Sequence, residues 1–274
     1  MLAALQRILA DLGIHEDVTV LSIVFGLIFT RLVTAIALAP FLGGRAVSSR
    51  IKVGLAAIIS AILYSPLAPK VSPGDLDVVR VLGLLVKEAV IGSTIGILSQ
   101  IIFHSIQMAG ATMDYGRGMS QATFFAPQLE TNVSLIGQLQ LQASIVMFLV
   151  LNGHLLFLRA LAASFQTIPV LQFPQFRGGA MLVMEQLARY TGESLLIAVQ
   201  LSAPVLLALF LVDISFGMLG KVAQGLNVHN ESQPVKAMFG LAVFLLSLSY
   251  TISRMPGYFS EMVQQIELLV RNIV

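Results

Sequence analysis

The sequence contains no cysteine and few charged residues. Without cysteine, the chain has neither disulfide bonds nor thiolate metal sites. Asp, Glu, Lys and Arg make up 11% of its 274 residues, whereas a soluble domain carries about 25%. A water-soluble fold of this length would not cover its surface with so few charges. The composition therefore indicates a membrane protein.

Concentrated positive charge is also lacking. The 16 Lys and Arg residues are scattered along the chain, and the formal net charge is only +2. A nucleic-acid-binding protein carries a basic patch or stripe that contacts phosphate groups. We therefore exclude nucleic acid as a partner. Because no polar linker divides the sequence, we interpret it as one unit.

Residues that usually carry catalysis or bind metals are not found at the required spacings. None of the four histidines has another histidine three to five residues away, as a zinc-binding helix requires. Gly217–Lys221 resembles part of a phosphate-binding loop, but Val222 stands where that loop needs Ser or Thr. We therefore expect no enzyme activity, no metal and no cofactor.

Six strongly apolar stretches organise the chain. A helix needs about 20 apolar residues to cross the membrane, and most of these stretches are long enough. Only helices and closed barrels satisfy their backbone groups in lipid, and the stretches are too uniformly apolar for barrel strands. We predict an all-α, polytopic membrane fold, with a further short amphipathic helix over residues 1–12. The six stretches are Val18–Ala39, Ile51–Leu67, Val81–Phe103, Val133–Leu158, Glu193–Val212 and Val235–Ile252.

Ionisable residues interrupt the apolar stretches. Arg31 lies within the first, and Lys87 and Glu88 lie within the third. A charge at the centre of a lipid-facing helix costs about 3 kcal/mol, so we expect these helices to face protein, including other subunits. Lys87 and Glu88 are adjacent and point in different directions on a helix, so each should find its partner elsewhere. A salt bridge between subunits and a pair within the chain both remain open.

Gly92 and Gly96 form a Gly-x-x-x-Gly pattern inside the third apolar stretch. Small residues at this spacing let another helix approach closely. The neighbouring helix can belong to this chain or to another subunit, and the sequence favours neither alternative.

Three segments rich in Gly and Pro are predicted to be loops: residues 40–50, 110–131 and 165–180. The middle loop is long and carries Met119, Phe124, Phe125 and Pro127. Bulky apolar side chains on a loop either anchor it in a local core or occlude a pore, where an apolar constriction excludes water. Composition alone favours anchoring.

The middle loop is similar to the Ser-Phe-Ala-Thr-Phe-Phe-Asp-Pro loop of the FliR family of flagellar proteins. That family is related to the T subunits (SctT) of virulence type III secretion systems. Phe124 and Phe125 fall on its paired Phe, and Pro127 on its Pro, whereas Ala126 replaces the usual Asp. The resemblance continues in order along nearly the whole chain. Its other stretches are Arg31 with Pro40 and Arg50–Lys52, Asn152–His154, Ser164–Pro169, Asp213–Asn227, and Pro234 with Lys236.

This resemblance implies a subunit of an export gate in the bacterial inner membrane, at the flagellar basal body. Such a subunit consists of bent helical hairpins within a hetero-oligomeric helical assembly, beside P and Q subunits and an FlhB-type switch protein. Residues 1–190 correspond to a P-like part and residues 191–274 to a Q-like part. Unfolded proteins would pass through the pore. Met119, Phe124, Phe125 and Pro127 would plug it, while Arg31, Lys87, Glu88, Gly92, Gly96 and Lys236 would serve helix packing or subunit contacts.

Other functions compete with this interpretation. The chain could be the homologous T subunit of a virulence injectisome. A secondary transporter for a small molecule would need paired broken helices with ionisable residues near the midplane, and no matched pair is visible. An intramembrane enzyme would need a catalytic pair, which the sequence does not display.

Overall fold

Helices account for nearly all of the structure. The computed structural model describes residues 18–42, 47–67, 77–118, 124–126, 131–174, 179–222 and 228–273. The predicted amphipathic helix over residues 1–12 lies outside these ranges. Within them, the helices are α1 Val18–Leu38, α2 Ser49–Leu67, α3 Val78–Gly116, α4 Leu135–Val150, α5 Gly153–Thr167, α6 Gly179–Val222 and α7 Val228–Asn272.

The prediction of an all-α membrane fold is confirmed, and each of the six apolar stretches lies mainly within helices. The described residues add one small feature, a two-stranded antiparallel ribbon. Its strands are β1 Phe124–Ala126 and β2 Thr131–Val133, in a register that pairs Phe124 with Val133. A short 3-10 turn, Pro40–Leu42, follows α1.

The start of the predicted middle loop was wrong, because α3 continues through Gly110 to Gly116. Gly110 does not form a turn but lets α3 approach α4 closely. A Cβ at this position would lie 2.6 Å from the Cα of Gly137 in α4. The helix ends at Gly116. Two residues later, Gly118 has a φ of +75°, in the left-handed region that glycine adopts at no steric cost.

A second break separates α4 from α5. Asn152 has a φ of 58°, a left-handed conformation in which asparagine is several-fold enriched. Gly153 follows beneath the ring of Phe148, where a Cβ would lie 2.2 Å from the ring Cε2 atom. The Asn-Gly pair is therefore explained by backbone geometry and close packing.

The chain divides into two units. The first contains the described parts of residues 1–99, 155–183 and 265–274. In this unit α1 packs against α2, and α1 also contacts α3 at two glycines. A Cβ on Gly92 would lie 2.1 Å from Thr34 Oγ1 and 2.3 Å from the Arg31 carbonyl oxygen. A Cβ on Gly96 would lie 2.8 Å from Leu38 Cβ.

The second unit contains the described parts of residues 100–154 and 184–264. Two apolar groups form its core. Met113, Ile136, Val205, Leu209 and Phe244 form one cluster. The rings of Phe103, Phe148 and Phe259 form the other, with centroids 5.1–5.6 Å apart, a separation at which aromatic pairs attract one another.

Four helices in the described residues are long and apolar enough to cross a membrane, and α4 with α5 together could supply a fifth span. The long helices exceed the thickness of the hydrocarbon. At about 1.5 Å per residue, the 44 residues of α6 extend about 66 Å, roughly twice a hydrocarbon layer of about 30 Å. The four candidates are Thr19–Leu38, Val78–Gly116, Met181–Val222 and Asn230–Asn272.

We predict that Gly92→Ala destabilises the fold by about 1–3 kcal/mol, because the added methyl group overlaps backbone and side-chain atoms of α1. Gly26→Ala is the matched control in α1 itself, since a Cβ there meets nothing within 4 Å. Thermal unfolding in detergent, followed by circular dichroism, compares the two variants. Equal unfolding temperatures would contradict the proposed helix contact.

Candidate functional site

A buried ion pair joins α1 to α3. The side chains of Arg31 and Glu88 are both fully buried. Arg31 Nη2 donates to Glu88 Oε1 at 3.0 Å, and Arg31 Nε donates to Glu88 Oε2. This is the two-bond geometry that makes arginine–carboxylate pairs strong and directional.

Arg31 also contacts the carboxyl end of α5. Its Nη1 atom donates to Ser164 Oγ at 3.1 Å, and its Nη2 atom donates to the Ile168 carbonyl oxygen at 2.9 Å. The guanidinium carbon lies 4.1 Å from the centroid of the Phe165 ring, within the range of a cation–π contact. One side chain of α1 therefore connects α3 and α5.

Lys87 completes this cluster. Its Nζ atom donates to the carbonyl oxygens of Pro169, Val170 and Gln172 at 3.0, 2.7 and 3.0 Å. It also lies 2.6 Å from Glu88 Oε1. The prediction that Lys87 and Glu88 do not pair was therefore wrong. Their Cα–Cβ bonds point in different directions, but the long lysine side chain can bend back to the neighbouring carboxylate. Both residues nevertheless find further partners elsewhere, as predicted.

These contacts make the cluster of Arg31, Lys87 and Glu88 an internal brace of the first unit. Two cations face one carboxylate, and carbonyl groups supply the remaining partners. The last carbonyl groups of a helix lack intrahelical donors and carry the negative end of the helix dipole, so the carboxyl end of α5 nearby also favours the extra positive charge. A contact of these residues with another subunit stays a prediction.

A second polar network lies in the second unit, at the two ends of the segment between α3 and α4. Asp114 Oδ2 accepts hydrogen bonds from Ser134 Oγ at 2.6 Å and from the Ile136 backbone N–H at 2.8 Å. Ser134 is the N-cap of α4, and its hydroxyl oxygen accepts from the Gly137 N–H. A carboxylate is favoured here because free N–H groups and the positive end of the helix dipole meet at a helix start.

Arg117 extends this network to α7. Its Nη1 atom donates to Asp114 Oδ1 at 3.0 Å, and its Nε and Nη2 atoms donate to the Ala237 carbonyl oxygen at 3.1 and 2.8 Å. Gly240 leaves room for the arginine stem, since a Cβ there would lie 2.6 Å from Arg117 Cγ. We call Asp114, Arg117 and Ser134, with these contacts, the junction.

Gly118, immediately after Arg117, also lies against α7. A Cβ at this position would lie 1.8 Å from Gln233 Oε1. The left-handed backbone conformation is the reason for glycine here, because the flexible end of Gln233 can move away from a Cβ. Both ends of the segment 119–133 are fixed by contacts that the structure describes.

The predicted plug residues belong to this segment. The backbones of Phe124 and Phe125 lie in strand β1, whereas Met119 and Pro127 lie outside the described residues. The assignment of these four residues to a plug stays a prediction.

The remaining predicted residues take part in helix packing within the chain. Gly92 and Gly96 contact α1, as described above. Lys236 of α7 forms a salt bridge with Asp213 of α6, in which the lysine is mostly buried and the aspartate is half exposed. Among the described residues, no group of three His, Cys, Asp or Glu side chains is arranged to hold a metal ion.

The junction is not apparent from the sequence, because the glycines of residues 110–131 predict a loop there. Two local signals could have revealed it. Ser134 directly precedes an apolar stretch, where serine is a preferred N-cap. Asp114 and Arg117 have the i, i+3 spacing of a helical ion pair. The hydrogen bond from Arg117 to Ala237 spans 120 residues and leaves no such local signal.

The sequence profile of a family described as bacterial export proteins, family 1, matches residues 22–262. The flagellar biosynthetic protein FliR of Pectobacterium carotovorum is 28% identical over 246 residues, which cover 90% of each chain. FliR of Bacillus subtilis is 29% identical over 90% of this chain and 94% of its own. The secretion system apparatus protein SsaT of Salmonella typhimurium is 31% identical, over 62% of this chain and 65% of its own.

We predict that Glu88→Gln destabilises the protein by about 3–5 kcal/mol, because Arg31 and Lys87 would remain buried without a counter-charge. Glu267→Gln, on an exposed position of α7, removes the same charge without breaking this cluster. Thermal unfolding in detergent measures both variants. An unfolding curve of Glu88→Gln that overlays that of the control would refute the bracing role.

Proposed function

Since the chain belongs to family 1 of the bacterial export proteins, we propose that it is an export-gate subunit that forms and plugs the pore of a flagellar type III secretion apparatus. Membership of this family by itself makes the chain a component of a type III export apparatus. The family match over residues 22–262 carries this conclusion. It covers nearly every described helix, so it concerns the whole fold and not one motif.

The coverage of the relatives supports the flagellar assignment. The two FliR proteins align with at least 90% of their own length and of this chain. The injectisome relative SsaT is slightly more identical but aligns over only about two thirds of either chain. A flagellar subunit therefore accounts for more of the sequence than an injectisome T subunit.

The apolar helices support a location in the inner membrane, and we place the protein at the flagellar basal body. Candidate spans account for four of the described helices. Within the most apolar part of Asn230–Asn272, only 17% of the residues are buried inside the chain. Such apolar surface needs lipid or other subunits to cover it.

The proposed partners are P and Q subunits and an FlhB-type switch protein. In this proposal residues 1–190 form the P-like part and residues 191–274 the Q-like part. The exposed side of α6 offers large apolar side chains for such contacts, and Leu207, Phe210, Leu211 and Met218 are each at least 60% exposed. Lipid covers whatever surface the sibling subunits leave free.

Met119, Phe124, Phe125 and Pro127 form the plug in this proposal. The junction supports it, because the segment that carries these residues begins and ends at fixed points. A seal against ions needs bulky apolar groups that exclude water from a constriction, and Met and Phe provide them. Unfolded export substrates would displace the plug, and the chain contributes closure and geometry to transport, not catalysis.

We predict that replacing Phe124 and Phe125 with Gly makes the assembled gate leak ions, because the constriction loses its apolar bulk and fills with water. Depolarisation of cells that express the complete gate measures the leak. Phe124→Leu with Phe125→Leu is the matched control, since it keeps bulky apolar side chains and should retain the seal. A Gly variant that seals and exports as the wild type does would contradict the plug assignment.

Tagging the chain, extracting it gently and identifying its companions by mass spectrometry tests the assembly. We predict that homologous P- and Q-type subunits co-purify in stable amounts, because exposed apolar faces of this size need partners. A solitary chain that moves a small solute when reconstituted in liposomes would instead support the secondary transporter.

A further inference from the structure

We propose that Glu193 and Glu261, together with the hydroxyl group of Tyr190, form an anionic site that binds a lysine or arginine side chain of a neighbouring gate subunit. The inference rests on the proposed function, which supplies P- and Q-type subunits as the neighbours. None of these three residues takes part in the two polar networks described above.

Two contacts within the second unit set the register of α6 against α7. Lys236 pairs with Asp213. One turn away on each helix, a Cβ on Gly240 would lie 3.1 Å from Leu209 Cδ2. The contact moves forward along α7 as it moves back along α6, so the two helices are antiparallel. Residues at equal distances from this contact therefore lie at the same level.

This register brings the three residues of the site together. It places Tyr190 level with residue 259 of α7, within one turn of Glu261. Glu193 follows Tyr190 by three residues, so it lies on the same side of α6. The charges of Glu193 and Glu261 both act on the Tyr190 hydroxyl group, and they also act on each other.

The tyrosine contributes a polar group that its own chain does not use. Tyr190 is only 1% exposed, and its hydroxyl group has no hydrogen-bond partner among the described residues. Buried hydroxyl groups usually have a partner, because leaving one unpaired is costly. When a cation draws the two carboxylates inward, this hydroxyl group can donate to one of them.

Neither carboxylate forms a salt bridge in the part of the chain that the structure describes, although Glu193 and Glu261 are both half-buried. Arg189, one turn before Glu193, is exposed. The guanidinium group of Arg254 lies over the Tyr250 ring, 5.4 Å from its centroid. Two like charges near each other repel, so the acidic pair is more stable with a cation bound.

The helix dipole does not explain the two acidic residues. α6 begins at Gly179 and α7 ends at Asn272, so Glu193 and Glu261 both lie well inside their helices. The dipole acts mainly on charges in the first or last turn. Glu261 is also nearer the carboxyl end of α7, which favours cations. A cation from outside the chain accounts better for the pair.

The surroundings favour a protein side chain over lipid as the source of this cation. Leu195, Leu196 and Val199 follow Glu193 on α6 and are each more than half exposed, so they extend the apolar side that is proposed above to contact sibling subunits. Two carboxylates would repel lipid phosphate, and acyl chains would leave them unpaired. Lysine and arginine supply both the charge and several N–H donors.

Neutralising both carboxylates separates this role from a structural one. We expect Glu193→Gln with Glu261→Gln to lower the recovery of P- and Q-type subunits with the tagged chain about tenfold, since losing a hydrogen bond to a charged group changes an equilibrium by about this factor. The purified chain should unfold at the same temperature as wild type or higher, because the repulsion is removed. Mass spectrometry measures the recovery, and circular dichroism in detergent measures the unfolding.

Glu185→Gln with Glu267→Gln is the matched control, because it removes two negative charges from exposed positions of the same helices. Recovery of the sibling subunits at the level of this control would overturn the site. A lower unfolding temperature of the chain alone would also overturn it, because the carboxylates would then stabilise their own chain.

Tyr190→Phe tests the hydroxyl group by itself. It keeps the buried ring and removes an unpaired polar group, so we expect the chain alone to be at least as stable as wild type. Recovery of the sibling subunits should fall about fivefold, the factor that corresponds to one neutral hydrogen bond. Recovery equal to wild type would exclude the hydroxyl group from the site and overturn the proposed arrangement.

The failure of this inference can be told apart from the failure of the proposed function. If the wild-type chain recovers no P- or Q-type subunit, the gate assignment is wrong, and the anionic site falls with it. If the wild type and the exposed-charge control recover these subunits and the variant without both carboxylates recovers as much, only the anionic site is wrong.

Discussion

A charge buried in an apolar helix must find its counter-charge and its hydrogen bonds inside the protein, because neither lipid nor a dry core supplies them. Arg31, Glu88, Asp114 and Arg117 meet this constraint within the chain. Each network also joins three helices: α1, α3 and α5 in the first unit, and α3, α4 and α7 in the second. The requirement to satisfy a few charges therefore determines which helices lie together.

Helix ends supply many of these partners, and each end binds the sign of charge that the helix dipole favours there. Lys87 and Arg31 bind carbonyl oxygens at and beyond the carboxyl end of α5, whereas Asp114 binds the N-cap and an N–H group at the start of α4. The cations thus meet the negative end of one helix, and the anion meets the positive end of another. An isolated helix leaves its first N–H groups and its last carbonyl groups without partners. Here such groups bind buried charged side chains, and these bonds hold neighbouring helices together.

Most of the fold could be predicted from the sequence, because a long apolar stretch in a chain with few charges permits little other than a membrane helix. The junction could not be predicted in the same way. Gly110 looks like a turn residue until its contact with Gly137 is known, and this misreading hid Asp114 within a supposed loop. The partners of Arg31 lie 57 to 137 residues away in sequence, a distance at which a single sequence gives no pairing signal. The resemblance of the loop drew attention to Phe124 and Phe125, but not to the residues that hold its ends.

The buried charges are not what requires this chain to assemble with other subunits. From the sequence, ionisable residues within apolar helices suggested contacts with other subunits. In the structure, Arg31, Lys87 and Glu88 find partners in their own chain, so their charge alone does not require a neighbour. The need for neighbours arises from the outside of the molecule. Helices such as α6, about twice as long as the hydrocarbon is thick, carry exposed apolar side chains over a length that lipid alone cannot cover. Sibling subunits that continue the apolar packing beyond the bilayer satisfy this requirement, and a solitary transporter of this length would leave part of the surface in water.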